Sequence, residues 1–378
     1  MSIIQIETLS IAILVAITCS LPGTFLVLRQ MSMMADAISH TILLGIILGF
    51  FIVHDVNHPL LIIGAALIGV VTVFITELLN KIDLIKEDAS IGLTFPFLFS
   101  IAIVLISYYA RNAHIGVHAV LLGEIVFAPF NRLMINGIDF GPKALYIMGT
   151  ILIINLVYII VFYKELKIVT FDKGLAAVLG ISPVIIHYSF MSIVSITCVG
   201  AFDTVGSILV IALIIGPPAT AYLLTNNLKV MIGLSALFGS ISATVGYAIA
   251  LWLDSSIAGC IAAVIGFVFI VTFILAPKKG LLSTQLQRHS KKLEFSRLAL
   301  LIHIINHGDS KEEKEECSLN SIHNHLHWNK SFLERIIDSA KRDNYIFVDK
   351  DILKITEKGK SYAVNYHQNI LDRISVDN

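Results

Sequence analysis

The chain has 378 residues and no formal net charge, and its composition is 56% hydrophobic and only 14% charged. A mean hydropathy of +0.83 excludes an ordinary soluble domain and is typical of a protein that crosses a membrane several times. The four cysteines are far apart and three lie in apolar runs, which indicates buried free thiols rather than a disulfide framework.

Apolar runs of nearly spanning length follow one another up to residue 275, so we predict an all-α membrane part with about eight or nine transmembrane helices. Lysines gather in alternate breaks and after the last run, which places those breaks and the tail on the cytoplasmic side. The side of the N-terminus depends on whether every run spans. The runs cover 8–28, 34–53, 59–79, 91–109, 144–163, 184–201, 205–224, 229–252 and 256–275.

The stretch Phe25–Gly45 carries two ionisable side chains into the second run. The apolar part from Thr41 to Val53 is too short to span, so its helix has to begin near Ser32–Ala35 and include Asp36 and His40. Four residues apart, the two side chains share one helix face. Because such groups are costly in hydrocarbon, we interpret them as an ion or proton site; a structural hydrogen bond that tightens helix packing is the alternative.

Residues 110–143 mix polar and apolar residues and are too interrupted to span, which predicts a re-entrant or surface helix. Glu124, His114 and His118 in this segment offer an outer waypoint for an ion, and an ordinary solvated loop is the favoured alternative. Asp203, between the sixth and seventh runs, has the same two interpretations, and a surface turn is favoured there.

A polar interruption at 164–183 predicts a short amphipathic helix. Asp172 caps its start, Gly180 ends it, and Pro183 opens the next span. The helix either binds a groove on a partner or lies at the lipid surface.

The run at 205–224 contains Gly216, Pro217 and Pro218. Two prolines remove two backbone donors, which predicts a local break in this helix. Broken helices are tolerated at membrane depth where they line a cavity or pack on protein.

Three ordered segments resemble the membrane permease subunit of ATP-binding-cassette importers for manganese, zinc or iron: GTFLVLRQMSMMADAISHTILLG, FYKELKIVTFDKGLAAVLGI and VGSILVIALIIGPPATAYLLT. The resemblance runs from about residue 10 to 277, and the double proline is most similar to manganese-type members. It implies a homodimer or paired permease, cytoplasmic ATP-binding subunits and an extracellular metal-binding lipoprotein. It also implies that Asp36 and His40 bind the ion in transit. The residues that match the family's ATPase-coupling helix are Phe171, Asp172, Lys173, Ala176, Leu179 and Gly180.

The chemistry of the chain agrees with this resemblance. The sequence contains no GxxxxGK[ST] phosphate loop, so we predict a transport subunit that is not itself an enzyme. A carboxylate with an imidazole suits Mn²⁺, Zn²⁺ or Fe²⁺ as cargo, and no permanently bound cofactor is expected. Met31, Met33 and Met34 are interpreted as packing residues. A gradient-driven secondary metal transporter and a membrane-tethered, metal-responsive transcription regulator are the alternative functions.

We predict a multi-pass cell-membrane protein whose permease domain covers residues 1–277. The tail is the part of the chain from residue 278 onward. It begins with a basic linker at 278–293, suited to anionic lipid, and continues as a cytoplasmic domain at 294–378. Helices followed by an alternating IFVDKDILKIT segment have the order of a small winged-helix (α+β) domain and resemble the DNA-binding domain of metal-responsive repressors. Since the tail is nearly neutral, a regulatory or subunit-contact role is favoured over DNA binding. His303, His307, Cys317, His323, His325 and His327 could suggest a metal sensor, but solvent-exposed histidines are the favoured interpretation.

Overall fold

A computed structural model describes residues 2–54, 58, 60–81, 87–109, 125–135, 138–277, 279–307, 316–319 and 321–365. The chain forms two compact units, Met1–Gly280 and Leu281–Asn378. We refer to them as the first and the second unit.

Nine helices in the described part of the first unit are long and apolar enough to span a membrane, which confirms the nine predicted runs. Between α5 and α8 lie two shorter helices, α6 at Tyr163–Phe171 and α7 at Lys173–Val178. The nine candidate spans are α1 Ile3–Leu28, α2 Ser32–Val53, α3 Leu60–Asn80, α4 Glu87–Tyr109, α5 Lys143–Val161, α8 Pro183–Val205, α9 Ser207–Leu224, α10 Leu228–Leu253 and α11 Ile257–Leu275.

Small residues bring α2 and α3 into close contact. A Cβ atom added to Gly45 would lie 2.4 Å from the carbonyl oxygen of Gly64, so only glycine fits at this crossing. Thr41 lies one turn before Gly45 on α2. The hydroxyl of Thr72 on α3 donates a hydrogen bond to the Thr41 hydroxyl over 2.8 Å. Close backbone approach and hydroxyl bonds between helices are how spans associate in lipid, and here they fix the position of α2.

The predicted re-entrant or surface helix is wrong for the described end of its segment, while residues 110–124 lie outside the described residues. After a 3₁₀ turn at Ala128–Phe130, the chain forms an antiparallel hairpin of β1 (Arg132–Ile135) and β2 (Ile138–Pro142). Arg132 pairs with Asp139 across the hairpin and with Glu7 of α1 at 3.2 Å. These ion pairs hold the hairpin against the start of α1.

The predicted break at Gly216, Pro217 and Pro218 is also wrong, because α9 continues through all three residues. Both prolines are buried, and the Thr220 hydroxyl donates to the Gly216 carbonyl over 2.9 Å. A Cβ atom at Gly216 would lie 2.1 Å from Cγ2 of Ile265. Packing on a neighbouring helix and a threonine back-bond therefore maintain the helix where two donors are missing.

Asp203 does not lie in a surface turn as predicted. Helix α8 extends to Val205, so Asp203 is an exposed residue of its last turn. The connection to α9 is Gly206, whose φ of +83° suits glycine.

The second unit contains α12 (Leu281–His307), α13 (Ile322–His325) and α14 (Lys330–Arg342), followed by an antiparallel pair of β3 (Ile346–Asp349) and β4 (Ile352–Ile355). Residues 357–365 are helical. Residues 281–293 of the predicted basic linker belong to α12. This order of elements does not by itself establish a winged-helix domain.

Candidate metal site

Helix α2 presents Asp36 and His40 one turn apart near its N-terminal end. Oδ1 of Asp36 lies 3.3 Å from Nε2 of His40, and about a third of each side chain is exposed, 31% and 33%. With a rise of 1.5 Å per residue, the two residues lie about 6 and 12 Å along the axis from Ser32. The pair therefore lies within the membrane-spanning part of the helix, with an oxygen and a nitrogen ligand atom side by side.

Two aromatic rings of α4 hold the imidazole of His40. Phe95 stacks on it with ring centroids 5.6 Å apart, and Phe99 meets it edge-on at 6.0 Å. The contact between Asp36 and His40 is made within one helix, so it does not tie α2 to a neighbour. His40 itself packs α2 against α4 through these rings, so the geometry fits both the packing alternative and an oriented ligand pair.

In the described part of the first unit, Asp36 and His40 bring two potential ligand atoms together, without a third histidine, cysteine or carboxylate ligand close enough to form a group with them. Where the structure describes the chain, the one group of at least three close histidine, cysteine or carboxylate ligands lies in the second unit. His114, His118 and Glu124, the predicted outer waypoint, lie outside the described residues.

Sequence reasoning missed a second polar group, formed where α3 and α8 meet. Oε1 of Glu77 lies 2.7 Å from Nε2 of His187, and the Tyr188 hydroxyl donates to Oε2 of Glu77 over 2.5 Å. Glu77 and His187 lie within predicted spans. The high cost of ionisable side chains in hydrocarbon, which pointed to Asp36 and His40, could therefore have pointed to them as well.

A cavity of about 120 Å³ connects this polar group with the start of α2 and with α7. Arg29, just after α1, donates from Nε to Oγ1 of Thr170 on α6 over 3.0 Å. Burial lowers the pKa of Arg29 to about 10. The cavity is lined by Arg29, Met31, Met34, Thr76, Glu77, Asn80, Lys173 and His187.

The three methionines have different surroundings. Met34 is fully buried in the core, as a packing residue should be, and Met33 is 52% exposed. Met31 packs partly buried against the same core.

The predicted capping of α7 is confirmed. The carboxylate of Asp172 accepts a hydrogen bond from the Leu175 backbone over 2.9 Å, Gly180 has a φ of +80°, and Pro183 is the first residue of α8. Ala176 is the one fully buried residue of this short helix, which anchors α7 to the rest of the first unit.

Most of the other apolar side chains around α7 face outward. Phe171, Val178 and Leu179 are 63%, 84% and 57% exposed. Lys173, the first residue of α7, also lines the cavity beside Glu77 and His187. The helix thus has an apolar outer surface and a direct connection to the polar group inside.

Comparison with known proteins identifies the family. The family model described as the ABC 3 transport family matches residues 3–276. The chain belongs to the ABC 3 transport family. Members are membrane permeases of transport systems, so this ABC 3 permease is a transport subunit and not an enzyme, as predicted.

Two curated relatives align with this ABC 3 permease at high identity. The manganese transport system membrane protein MntD of Bacillus subtilis is 44% identical over 275 residues, covering 73% of this chain and 93% of MntD. The zinc transport system membrane protein TroD of Treponema pallidum is 40% identical over 357 residues, covering 94% of this chain and 97% of TroD. The TroD alignment therefore includes most of the second unit.

A solved structure supports the fold of the first unit. PsaBC from Streptococcus pneumoniae in complex with Fab matches with a TM-score of 0.63 and 30% identity, over 75% of this chain and 96% of that chain. The helical membrane architecture is therefore shared with an experimentally determined relative.

Proposed function

We propose that this chain is the permease subunit of an ATP-driven importer of a divalent transition metal, with Mn²⁺ as the first candidate and Zn²⁺ or Fe²⁺ as alternatives. The observation that carries the proposal is the oriented pair of Asp36 and His40, 3.3 Å apart in a span of an ABC 3 permease. An oxygen and a nitrogen ligand suit these ions better than Ca²⁺ or Mg²⁺, which prefer oxygen alone. The names of MntD and TroD support manganese and zinc respectively.

The permease works with other subunits in this proposal. Cytoplasmic ATP-binding subunits hydrolyse ATP, because the chain carries no phosphate-loop motif. An extracellular metal-binding lipoprotein delivers the ion. A homodimer, or a pairing with a related permease, supplies the ligands that Asp36 and His40 lack, and the partial exposure of both side chains supports this arrangement. Asp203, Glu124, His114 and His118 are proposed to form the outer path.

Coupling to ATP hydrolysis is proposed to run through α7. An ATP-binding subunit docks on the apolar surface formed by Phe171, Val178 and Leu179. Movement of α7 displaces Lys173 in the cavity that also contains Met31, the residue that precedes α2. Closure of the ATPase would in this way move the helix that carries Asp36 and His40.

The second unit is proposed to be a cytoplasmic domain that regulates the permease or contacts its partners. The order of α12, α13, α14 and the β3–β4 pair supports a winged-helix-like fold, and its nearly neutral composition argues against DNA binding. Family membership removes the gradient-driven transporter from consideration. A membrane-tethered transcription regulator is disfavoured, since the family match covers residues 3–276.

Metal uptake by cells carrying the importer tests the proposal. We expect Asp36→Ala and His40→Ala to reduce Mn²⁺ uptake by about tenfold or more at equal expression, because each removes half of the ligands that the chain supplies. The control is His54→Asn at the C-terminal end of the same helix, where φ is +57° and asparagine is well tolerated. Wild-type uptake in both ligand variants would reject the site. Competition among Mn²⁺, Zn²⁺ and Fe²⁺ identifies the preferred cargo.

A further inference from the structure

Three histidines in the second unit converge on one carboxylate. Nε2 of His303, Nδ1 of His307 and Nδ1 of His325 lie 3.6, 3.6 and 3.8 Å from the same oxygen, Oε2 of Glu316. His303 and Glu316 are mostly buried, with side chains 13% and 20% exposed. The interpretation of all the tail histidines as solvent-exposed is therefore wrong for His303, although His327 is exposed as predicted.

Helix α12 directs two of these histidines toward the core of the second unit. Leu300, His303, Ile304 and His307 follow the i, i+3, i+4, i+7 spacing of a single helix face. Leu300 and Ile304 are fully buried in this core. The two imidazoles are held close together on that face, with ring centroids 4.8 Å apart.

Glu316 and His325 are positioned by separate elements. The residue after Glu316, Cys317, is fully buried, and its carbonyl accepts a hydrogen bond from the Leu353 backbone of β4 over 2.9 Å. His325 ends α13, which is anchored by the fully buried Ile322. His303 and His307 on α12 and Glu316 beside β4 thus form a close group, and His325 approaches Glu316 from the short helix α13.

The ligand atoms of His303, His307 and Glu316 all lie within 4.8 Å of one another, whereas His325 approaches only Glu316. Ligand atoms of a tetrahedral Zn²⁺ site, each about 2.0–2.1 Å from the ion, lie about 3.3 Å apart. The three distances from Glu316 to the histidines exceed that value by only a few tenths of an ångström. Nε2 of His303 also lies 3.1 Å from the backbone oxygen of Glu316, a hydrogen bond that ion binding would replace.

Ion pairing alone explains the cluster poorly. One carboxylate balances one protonated histidine, and two further imidazolium groups at this distance would repel each other. A divalent cation instead accepts three neutral imidazoles and one carboxylate at once.

We propose that His303, His307 and Glu316 form a divalent metal site in the second unit, completed by His325 as the fourth ligand and separate from the pair in α2. Three nitrogen ligands and one oxygen favour Zn²⁺ over Mn²⁺, which prefers oxygen-rich sites. The proposal does not require transport activity, so it can fail or succeed independently of the proposed function.

Equilibrium binding of Zn²⁺ to the full-length protein in detergent tests the site. All variants carry Asp36→Ala and His40→Ala, so that the pair in α2 does not contribute. We expect this background to bind Zn²⁺ at the second unit and the added substitutions His303→Ala and His307→Ala to weaken that binding by at least about 10- to 100-fold, the usual cost of losing even an outer partner of a ligand. His323→Ala, two residues from His325 on the same short helix, is the matched control and should bind as the background does.

A second substitution separates ligand loss from misfolding. Glu316→Gln keeps the size of the side chain but removes its charge, and we expect it to weaken Zn²⁺ binding while the melting temperature without metal stays unchanged. Added Zn²⁺ should raise the melting temperature of the background but not that of Glu316→Gln, since a ligand stabilises the state that binds it. Zn²⁺ binding that is equal in the background, the double histidine variant and Glu316→Gln would overturn the proposal.

Discussion

Asp36 is the fifth residue of α2, and the helix dipole opposes a cation at that end. The opposition amounts to at most about 2 kcal/mol and is outweighed by the carboxylate. His40 lies a further turn inside, held by Phe95 and Phe99. In the proposed site, few ligands at the unfavourable end of a helix would bind an ion weakly, which suits an ion that has to be released.

The half-buried polar group formed by Glu77, His187 and Tyr188 is a second feature to test by substitution. We expect Glu77→Gln to destabilise the protein by about 1.5–3 kcal/mol, because it removes the charge that accepts the Tyr188 hydrogen bond and lies beside His187. The measurement is the thermal midpoint of the detergent-solubilised permease.

Asp254→Asn is the control for that experiment. Asp254 is exposed at the end of α10 with a φ of +49°, a conformation that asparagine also adopts. The Asp254→Asn variant loses a carboxylate as Glu77→Gln does, but its thermal midpoint should not change. An equal midpoint shift in the two variants would show that Glu77 has no special structural role.

The two ionisable pairs show what the sequence can predict at this scale. Asp36 and His40 are four residues apart, so span length and helix periodicity predict that they are neighbours. Glu77 and His187 meet only because α3 packs on α8. The sequence alone shows that Glu77 and His187 are ionisable residues in predicted spans. It does not show that they contact each other, because that contact depends on tertiary packing.

At the scale of the helix or strand, the sequence predicts helix ends that adjacent residues determine. It does not predict features that depend on contacts between residues far apart in the chain. Asp172, Gly180 and Pro183 define the ends of α7 through capping and fixed φ angles, which depend on adjacent residues alone. Continuity of α9 through Pro217 depends instead on contacts with other helices. The β1–β2 hairpin likewise depends on Arg132 reaching Glu7, a residue 125 positions away in the chain.

Val178, 84% exposed on α7, tests the proposed docking surface. We expect Val178→Asp to weaken association with the ATP-binding subunit by about 100-fold or more, because an unpaired carboxylate buried in an apolar interface costs several kcal/mol. Binding of the purified subunits to each other is the measurement.

Ser182→Asp adds the same charge four residues further on. Ser182 is the exposed N-cap of α8, and aspartate is an equally good N-cap. We expect this control to bind the ATPase normally. Should Val178→Asp also bind normally, α7 is not the docking element.

At the scale of the whole molecule, the match to the ABC 3 transport family at residues 3–276 lies within the first unit. The alignment with MntD spans 275 residues and 93% of that relative, whereas the alignment with TroD spans 357 residues. A transport-system protein of the MntD type thus lacks most of what the second unit adds. This contrast favours a regulatory role for the second unit over a role in moving the ion.

Truncation after Gly280, the last residue of the first unit, tests that division. We expect the shortened permease to associate with its ATPase and to import metal, because the spans, Asp36, His40 and α7 all remain. Its uptake rate should no longer respond to the metal already accumulated, and the full-length His303→Ala, His307→Ala variant should lose the same response if the second unit senses metal through that cluster. Uptake measured in metal-starved cells reports the ability to import metal, and comparison with metal-loaded cells reports the response to accumulated metal. If the truncated chain fails to assemble with its ATPase, the second unit is a structural part of the transporter and the regulatory role is rejected.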